Sequence, residues 1–232
     1  ALSSRCPTAS GAHDDALISM HLLPPEVLLP FFAAATALAL APGPDNLFVL
    51  TQSLQHGRAA GWSITLGLCS GLILHTSAVA LGLAAILQAA PLALQIVQSI
   101  GALYLLYLAW GAWRAVAQPL STTRSGLSRF ALYRRGVVMN VTNPKVSLFF
   151  IAFLPQFANP ERGALAVQIA ALGATFIAAT LLVFGGIAVL AGALGGWLSR
   201  MPGAQRTVNA LAACVLAALA LRLLFALNTS NA

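Results

Sequence analysis

Six stretches of this chain are each long and apolar enough to cross a lipid bilayer, and any fold must accommodate them. A membrane-crossing helix needs about 20 mostly apolar residues. The stretches run from Val27 to Leu54, Trp62 to Leu87, Leu92 to Trp113, Gly136 to Phe157, Leu165 to Leu194 and Val208 to Leu227. Only 7% of the residues are charged, against 59% hydrophobic, whereas a soluble domain carries about a quarter charged residues. So few charges cannot cover a soluble surface. The sequence predicts an all-α, multi-pass protein whose main partner is the lipid bilayer.

Two of the six stretches are interrupted. The first contains Ala41-Pro42-Gly43-Pro44-Asp45-Asn46, and the fourth contains Asn143-Pro144-Lys145. Proline lacks the N–H that a helix needs and clashes with the preceding turn, so each helix must come undone there. Backbone groups freed in hydrocarbon are costly, so such breaks survive only inside protein or beside water. Each break also carries a charge, and an ionisable residue at membrane depth points to function. Pro44-Asp45 and Pro144-Lys145 lie at an offset of 100 residues and have opposite signs.

The basic residues set the expected orientation. Eight of the twelve Lys and Arg fall in the links after the first, third and fifth stretches: Arg58, Arg114, Arg124, Arg129, Arg134, Arg135, Arg200 and Arg206. Cytoplasmic links are enriched in Lys and Arg, which puts both termini outside. The net charge of +7 is scattered between apolar spans; a nucleic-acid binder gathers its charge into a patch, so no nucleic-acid partner is expected. Cys6, Cys69 and Cys214 show no metal-ligand spacing, and neither a metal nor a cofactor is expected. Residues 1–25 read as a polar tail, disordered over 1–19, with Met20 a candidate natural start. A cleaved signal peptide fits less well, because Asp14, Asp15 and Glu26 stand where a basic flank belongs. Residues 26–228 form the membrane domain, and 229–232 a short C-terminal tail.

Three spans per half force the second half to enter the membrane from the opposite side. The expected architecture is therefore two inverted three-helix repeats, residues 26–116 and 134–228, with helices 1 and 4 broken. In such folds the substrate site lies near the midplane, where half-helix ends point inward. Helix N-termini attract carboxylates, and C-termini attract cations. One acid and one base there suit a zwitterion. The candidate substrate-binding residues are Pro42, Gly43, Pro44, Asp45, Asn46, Asn140, Asn143, Pro144 and Lys145. A structural ion pair between Asp45 and Lys145 is the competing reading of the two charges. Asn46, Asn140 and Asn143 serve equally well as backbone partners or as substrate contacts. Proton-coupling candidates are Asp45 and His75, although a mid-span histidine is more simply a neutral core residue. Gly67 and Gly71 have the four-residue spacing of close helix packing. Tyr104, Tyr107, Trp110 and Trp113 read as an interfacial anchor belt.

These residues resemble the LysE/RhtB family of bacterial amino-acid exporters. The similarity rests on Pro42-Gly43-Pro44-Asp45-Asn46-Leu47-Phe48-Val49-Leu50 and the following Ser53-Leu54-Gln55-His56-Gly57-Arg58-Ala59-Ala60-Gly61. It continues through Gly101 to Leu108 and Trp110, then Arg135-Gly136, Asn140, Asn143-Pro144-Lys145 and Phe153-Leu154-Pro155-Gln156-Phe157. The resemblance implies export of amino acids or close derivatives across the bacterial inner membrane, driven by the proton gradient, by a protein that forms a homodimer. The reading is a secondary active exporter using alternating access. Export of another small molecule on the same scaffold, or a passive channel, is the alternative. A channel fits less well, because no ring of like charge or run of carbonyl loops is present. An enzyme is not expected, since the spans hold a single His75 and no nucleophile–base pair.

Overall fold

The computed structural model describes residues 23–89, 91–115, 127–200 and 202–229. Residues 1–22 of the predicted polar tail and most of the link between the third and fourth stretches lie outside the described residues. The end of that tail is ordered instead, with Leu23 buried in the core and Pro25 opening the first helix. The described chain is all helical, and each predicted stretch holds a helix or a broken pair. These helices are α1 (Pro25–Leu40), α2 (Pro44–His56), α3 (Arg58–Ala89), α4 (Pro91–Arg114), α5 (Arg129–Val141), α6 (Pro144–Leu148), α7 (Leu165–Arg200) and α8 (Pro202–Thr229). After α6 the helix widens into a π-turn at Phe149–Phe153 and then tightens into a 3₁₀ turn at Leu154–Phe157.

Proline decides where the broken helices start and stop. Pro44 and Pro144 each take the first position of a helix, where the missing N–H is not needed. Chain direction changes sharply at both breaks, by 65° between α1 and α2 and by 48° between α5 and the segment Pro144–Phe157. Gly57 then joins α2 to α3 at φ +80°, in the left-handed region that glycine tolerates.

Two described helices are long and apolar enough to cross a membrane unaided: Arg58–Gly82 of α3 and Leu165–Ala191 of α7. The two bent pairs pass the same test when each is taken as one span. Helix α8 contributes a shorter apolar stretch, Asn209–Phe225. The fourth stretch begins earlier than its hydropathy predicts, at Arg129 rather than Gly136. Arginine is a good helix former, and Ser128 caps the helix by accepting from the Ala131 N–H at 3.2 Å. Arg129, Arg134 and Arg135 thus ride on the first turns of α5.

Helix α3 packs against α5 and α7, α7 against α1 and α2, and α4 against α8. Gly67 and Gly71 of α3 face α5. A Cβ on Gly136 would sit 3.2 Å from the Gly67 Cα, and one on Gly71 would sit 2.6 Å from the Asn140 side chain. Tyr107, Trp110 and Trp113 are exposed on α4, with the Arg114 guanidinium 4.2 Å from the Trp110 ring. Inside, one apolar cluster gathers Phe31, Phe149, Phe150, Phe153, Phe157 and Phe176. A second, smaller one holds Val49, Ile64, Leu68, Leu132 and Phe184.

Candidate functional site

The two breaks meet where the two apolar clusters meet. A cavity of about 20 Å³ lies there, bordered by Asp45 of α2, Asn140 of α5 and Lys145 of α6. The rest of its wall is Leu38, Ala39, Leu68, Val146, Phe176, Thr180 and Phe184. By the usual measure this is room for one water, and an amino acid does not fit. The site is too narrow for substrate in this state.

Asp45 stands in the first turn of α2, where the helix dipole favours a negative charge. It is 3% exposed. Its Oδ2 accepts from Asn143 Nδ2 at 2.6 Å, whereas its Oδ1 is buried with no partner. Asn140 Oδ1 is a second buried acceptor without a partner. Two unmatched acceptors on one small cavity call for a donor, and an ammonium group supplies several.

Lys145 is bound differently from the carboxylate's direct partner that the sequence suggests. Its Nζ donates to the backbone carbonyls of Leu38 at 3.0 Å and Ala41 at 3.3 Å. Those are carbonyls that the first break sets free at the end of α1. A cation at a helix C-terminus is favoured by about 0.3–1 kcal/mol, and by up to about 2 when partly buried. Lys145 therefore closes the end of α1 while bordering the same cavity as Asp45. A Cβ on Gly43 would come within 3.5 Å of Lys145 Nζ, so the glycine leaves room beside the ammonium.

The remaining candidates divide into two groups. Asn143 belongs to the cluster: besides bonding Asp45, its Oδ1 accepts from the Lys145 N–H at 3.0 Å and caps α6. Asn46 does not border the cavity; its Nδ2 donates to the Ala39 carbonyl at 2.7 Å, and its Oδ1 is buried without a partner. Pro42, Pro44 and Pro144 are exposed and shape the backbone without bordering the cavity. His75 is one residue removed. Its Nε2 donates to the Asn140 carbonyl at 3.4 Å, and its ring lies 5.5 Å from that of Phe150. Sequence reasoning missed Leu68, Phe176, Thr180 and Phe184. They lie in unbroken apolar helices, where no local signal separates a cavity wall from ordinary core.

Comparison with known proteins settles the family. The sequence profile of LysE type translocators matches residues 36–227, which include both breaks and every residue around the cavity.

The chain belongs to the LysE type translocator family. A homoserine/homoserine lactone efflux protein of Salmonella typhimurium is 35% identical over 72% of this chain and 82% of its own length. An uncharacterized membrane protein of Vibrio cholerae is 34% identical over 80% of this chain and 90% of its own. A leucine efflux protein of Enterobacter is 32% identical over 56% of this chain and 62% of its own. No solved structure gives a significant match. This LysE type translocator is therefore a multi-pass membrane transport protein and not an enzyme.

Proposed function

We propose that this translocator is a secondary active exporter of amino acids or close derivatives across the bacterial inner membrane, coupled to protons and working by alternating access. The observation that carries the reading is the meeting of Asp45 and Lys145, from two broken helices, on one narrow cavity. Relatives named for efflux of homoserine or homoserine lactone and of leucine support an amino-acid substrate.

A cavity of about 20 Å³ is too small to hold substrate, so the site must widen during the cycle, as alternating access requires. Six spans in two inverted halves are supported by how the helices pair. Helix α3 packs on α5, the first part of the fourth span, and α7 packs on α1, the first part of the first span. The contacts of α3 with α7, and of α4 with α8, each join equivalent helices of the two halves. The excess of arginine in alternate links supports a topology with both termini outside. A homodimer completes the proposal.

In this cycle the substrate ammonium displaces water beside the free Asp45 Oδ1 and Asn140 Oδ1. Lys145 turns from the α1 carbonyls toward the substrate carboxylate, and the vacated carbonyls take water as the site opens. Asp45 takes up the coupling proton when substrate leaves. Export from preloaded vesicles tests this. Lys145→Met abolishes export, and Asp45→Asn leaves at most a residual export that no longer changes with pH. If both variants export like the parent at every pH, the proposed roles are wrong.

A further inference from the structure

Thr180 is the one hydroxyl on the cavity wall. It shares that wall with apolar Leu38, Leu68, Val146, Phe176 and Phe184 and with the polar Asp45, Asn140 and Lys145. The residue is 2% exposed, yet it has no hydrogen-bond partner among the described residues. Other threonines behave differently. Thr51, Thr65, Thr76, Thr142 and Thr175 each return their hydroxyl to the carbonyl one turn earlier, at 2.7–2.9 Å. That back-bond is how a threonine is normally satisfied inside a helix in an apolar setting. Thr36 also lacks a partner, but it does not border the cavity.

As the cavity stands, it has room for one water to meet this hydroxyl. When the site opens, the substrate takes that water's place. Asp45, Asn140 and Lys145 provide the groups for an ammonium and a carboxylate, which leaves the side chain to meet the α7 wall. We propose that Thr180 is the specificity-determining residue of the side-chain subsite, selecting small neutral amino acids whose side chain carries a hydrogen-bonding oxygen. This rests on the amino-acid reading above. A site with a hydrogen-bonding group in an apolar pocket discriminates against the analogue that leaves that group unpaired. Replacing the hydroxyl by a methyl of the same shape removes the discrimination without reshaping the wall.

Export of two near-isosteric pairs from preloaded proteoliposomes tests the assignment: homoserine against norvaline, and threonine against valine. Within each pair a hydroxyl takes the place of a methyl. The parent exports the hydroxylated member of each pair faster. Thr180→Val lowers the hydroxylated-to-aliphatic ratio about five- to tenfold, in part by raising export of the aliphatic member, while Thr180→Ser keeps the parent ratio. An unchanged ratio in Thr180→Val overturns the assignment. So does equal loss of both members with normal protein levels in the membrane, since that outcome puts Thr180 in the transport cycle itself. A parent that exports none of the four defeats the amino-acid reading beneath the proposal and the proposal with it. A parent that exports aliphatic members as fast as hydroxylated ones defeats the proposal alone.

Discussion

Asn143 donates its side-chain amide to Asp45 Oδ2 at 2.6 Å, joining residues 98 apart in the sequence. The oxygen of the same amide accepts from the Lys145 N–H and caps α6. One side chain thus holds the acid of the first break and starts the helix that follows the second. Asp45, Asn143 and Lys145 form a chain of contacts in which each break supports the other.

Because Asn143 has two jobs, two substitutions separate them. Asn143→Asp retains an oxygen to cap α6 but loses the donor to Asp45 and sets a like charge beside it. Asn143→Ala loses both. A hydrogen bond to a charged group contributes about 1.5–3 kcal/mol, and an N-cap about 1 kcal/mol. Both variants are expected to lower thermal stability in detergent. Asn143→Asp is expected to lose export at least as completely as Asn143→Ala despite its intact cap. Export by Asn143→Asp at the parent's rate would show that capping is all this residue does.

Lys145→Met leaves the Leu38 and Ala41 carbonyls without their donor and leaves Asp45 without a nearby cation. Each buried group left without its partner costs about 1–3 kcal/mol, and a charged one more. The double variant Asp45→Asn/Lys145→Met removes the uncompensated charge, so it is expected to recover part of the lost stability, with a measurable coupling between the two sites. Export is expected to stay absent. Unfolding temperature and export measured on the same four proteins check both statements. A double variant that regains export would make the pair structural only.

The breaks and the helical stretches were legible because proline and hydropathy act locally. Pro44 and Pro144 start helices wherever they stand, since the reason lies in their own ring. The start of α5 was misplaced by seven residues because hydropathy reports preference for lipid, whereas Arg129, Arg134 and Arg135 favour helix regardless. The partner of Lys145 was not legible at all. Opposite charges at matching positions suggest a direct pair, but Lys145 reaches the α1 carbonyls only because the bend of 65° turns the end of α1 toward it. Thr180 and Phe176 became visible only once the helices were packed, for the cavity they border is a property of six helices together.

Helix packing sorts the glycines. A Cβ on Gly71 would meet Asn140 Cβ and Oδ1 at 2.6 Å, so Gly71→Ala pushes directly on a cavity residue. A Cβ on Gly67 would collide with the Tyr133 carbonyl and approach the Val137 N–H at 2.9 Å, forcing α3 and α5 apart. Nothing lies within 4 Å of a Cβ on Gly111. Overpacking costs about 1–3 kcal/mol. Gly67→Ala and Gly71→Ala are both expected to lower the unfolding temperature, whereas Gly111→Ala leaves it unchanged or raises it slightly through helix propensity. Export normalised to folded protein should fall further in Gly71→Ala than in Gly67→Ala. The reverse order would place Asn140 outside the transport pathway.

His75 and Asp45 are the two candidates for carrying the coupling proton, and their surroundings differ in a way that favours Asp45. Asp45 borders the cavity and keeps one oxygen free. His75 does not border it, and its Nε2 is engaged with the Asn140 carbonyl. That carbonyl belongs to the last turn of α5, so His75 closes the end of α5 much as Lys145 closes the end of α1. A residue in that position needs a donor, and its charge is secondary. His75→Gln keeps an amide donor of similar reach and never titrates, so it is expected to retain most export and the parent's pH profile. His75→Leu removes the donor and is expected to cost stability by about 1 kcal/mol. Export rates across a pH series decide between the two groups. A flattened profile in His75→Gln, with Asp45→Glu still pH-dependent, would transfer the proton to the histidine.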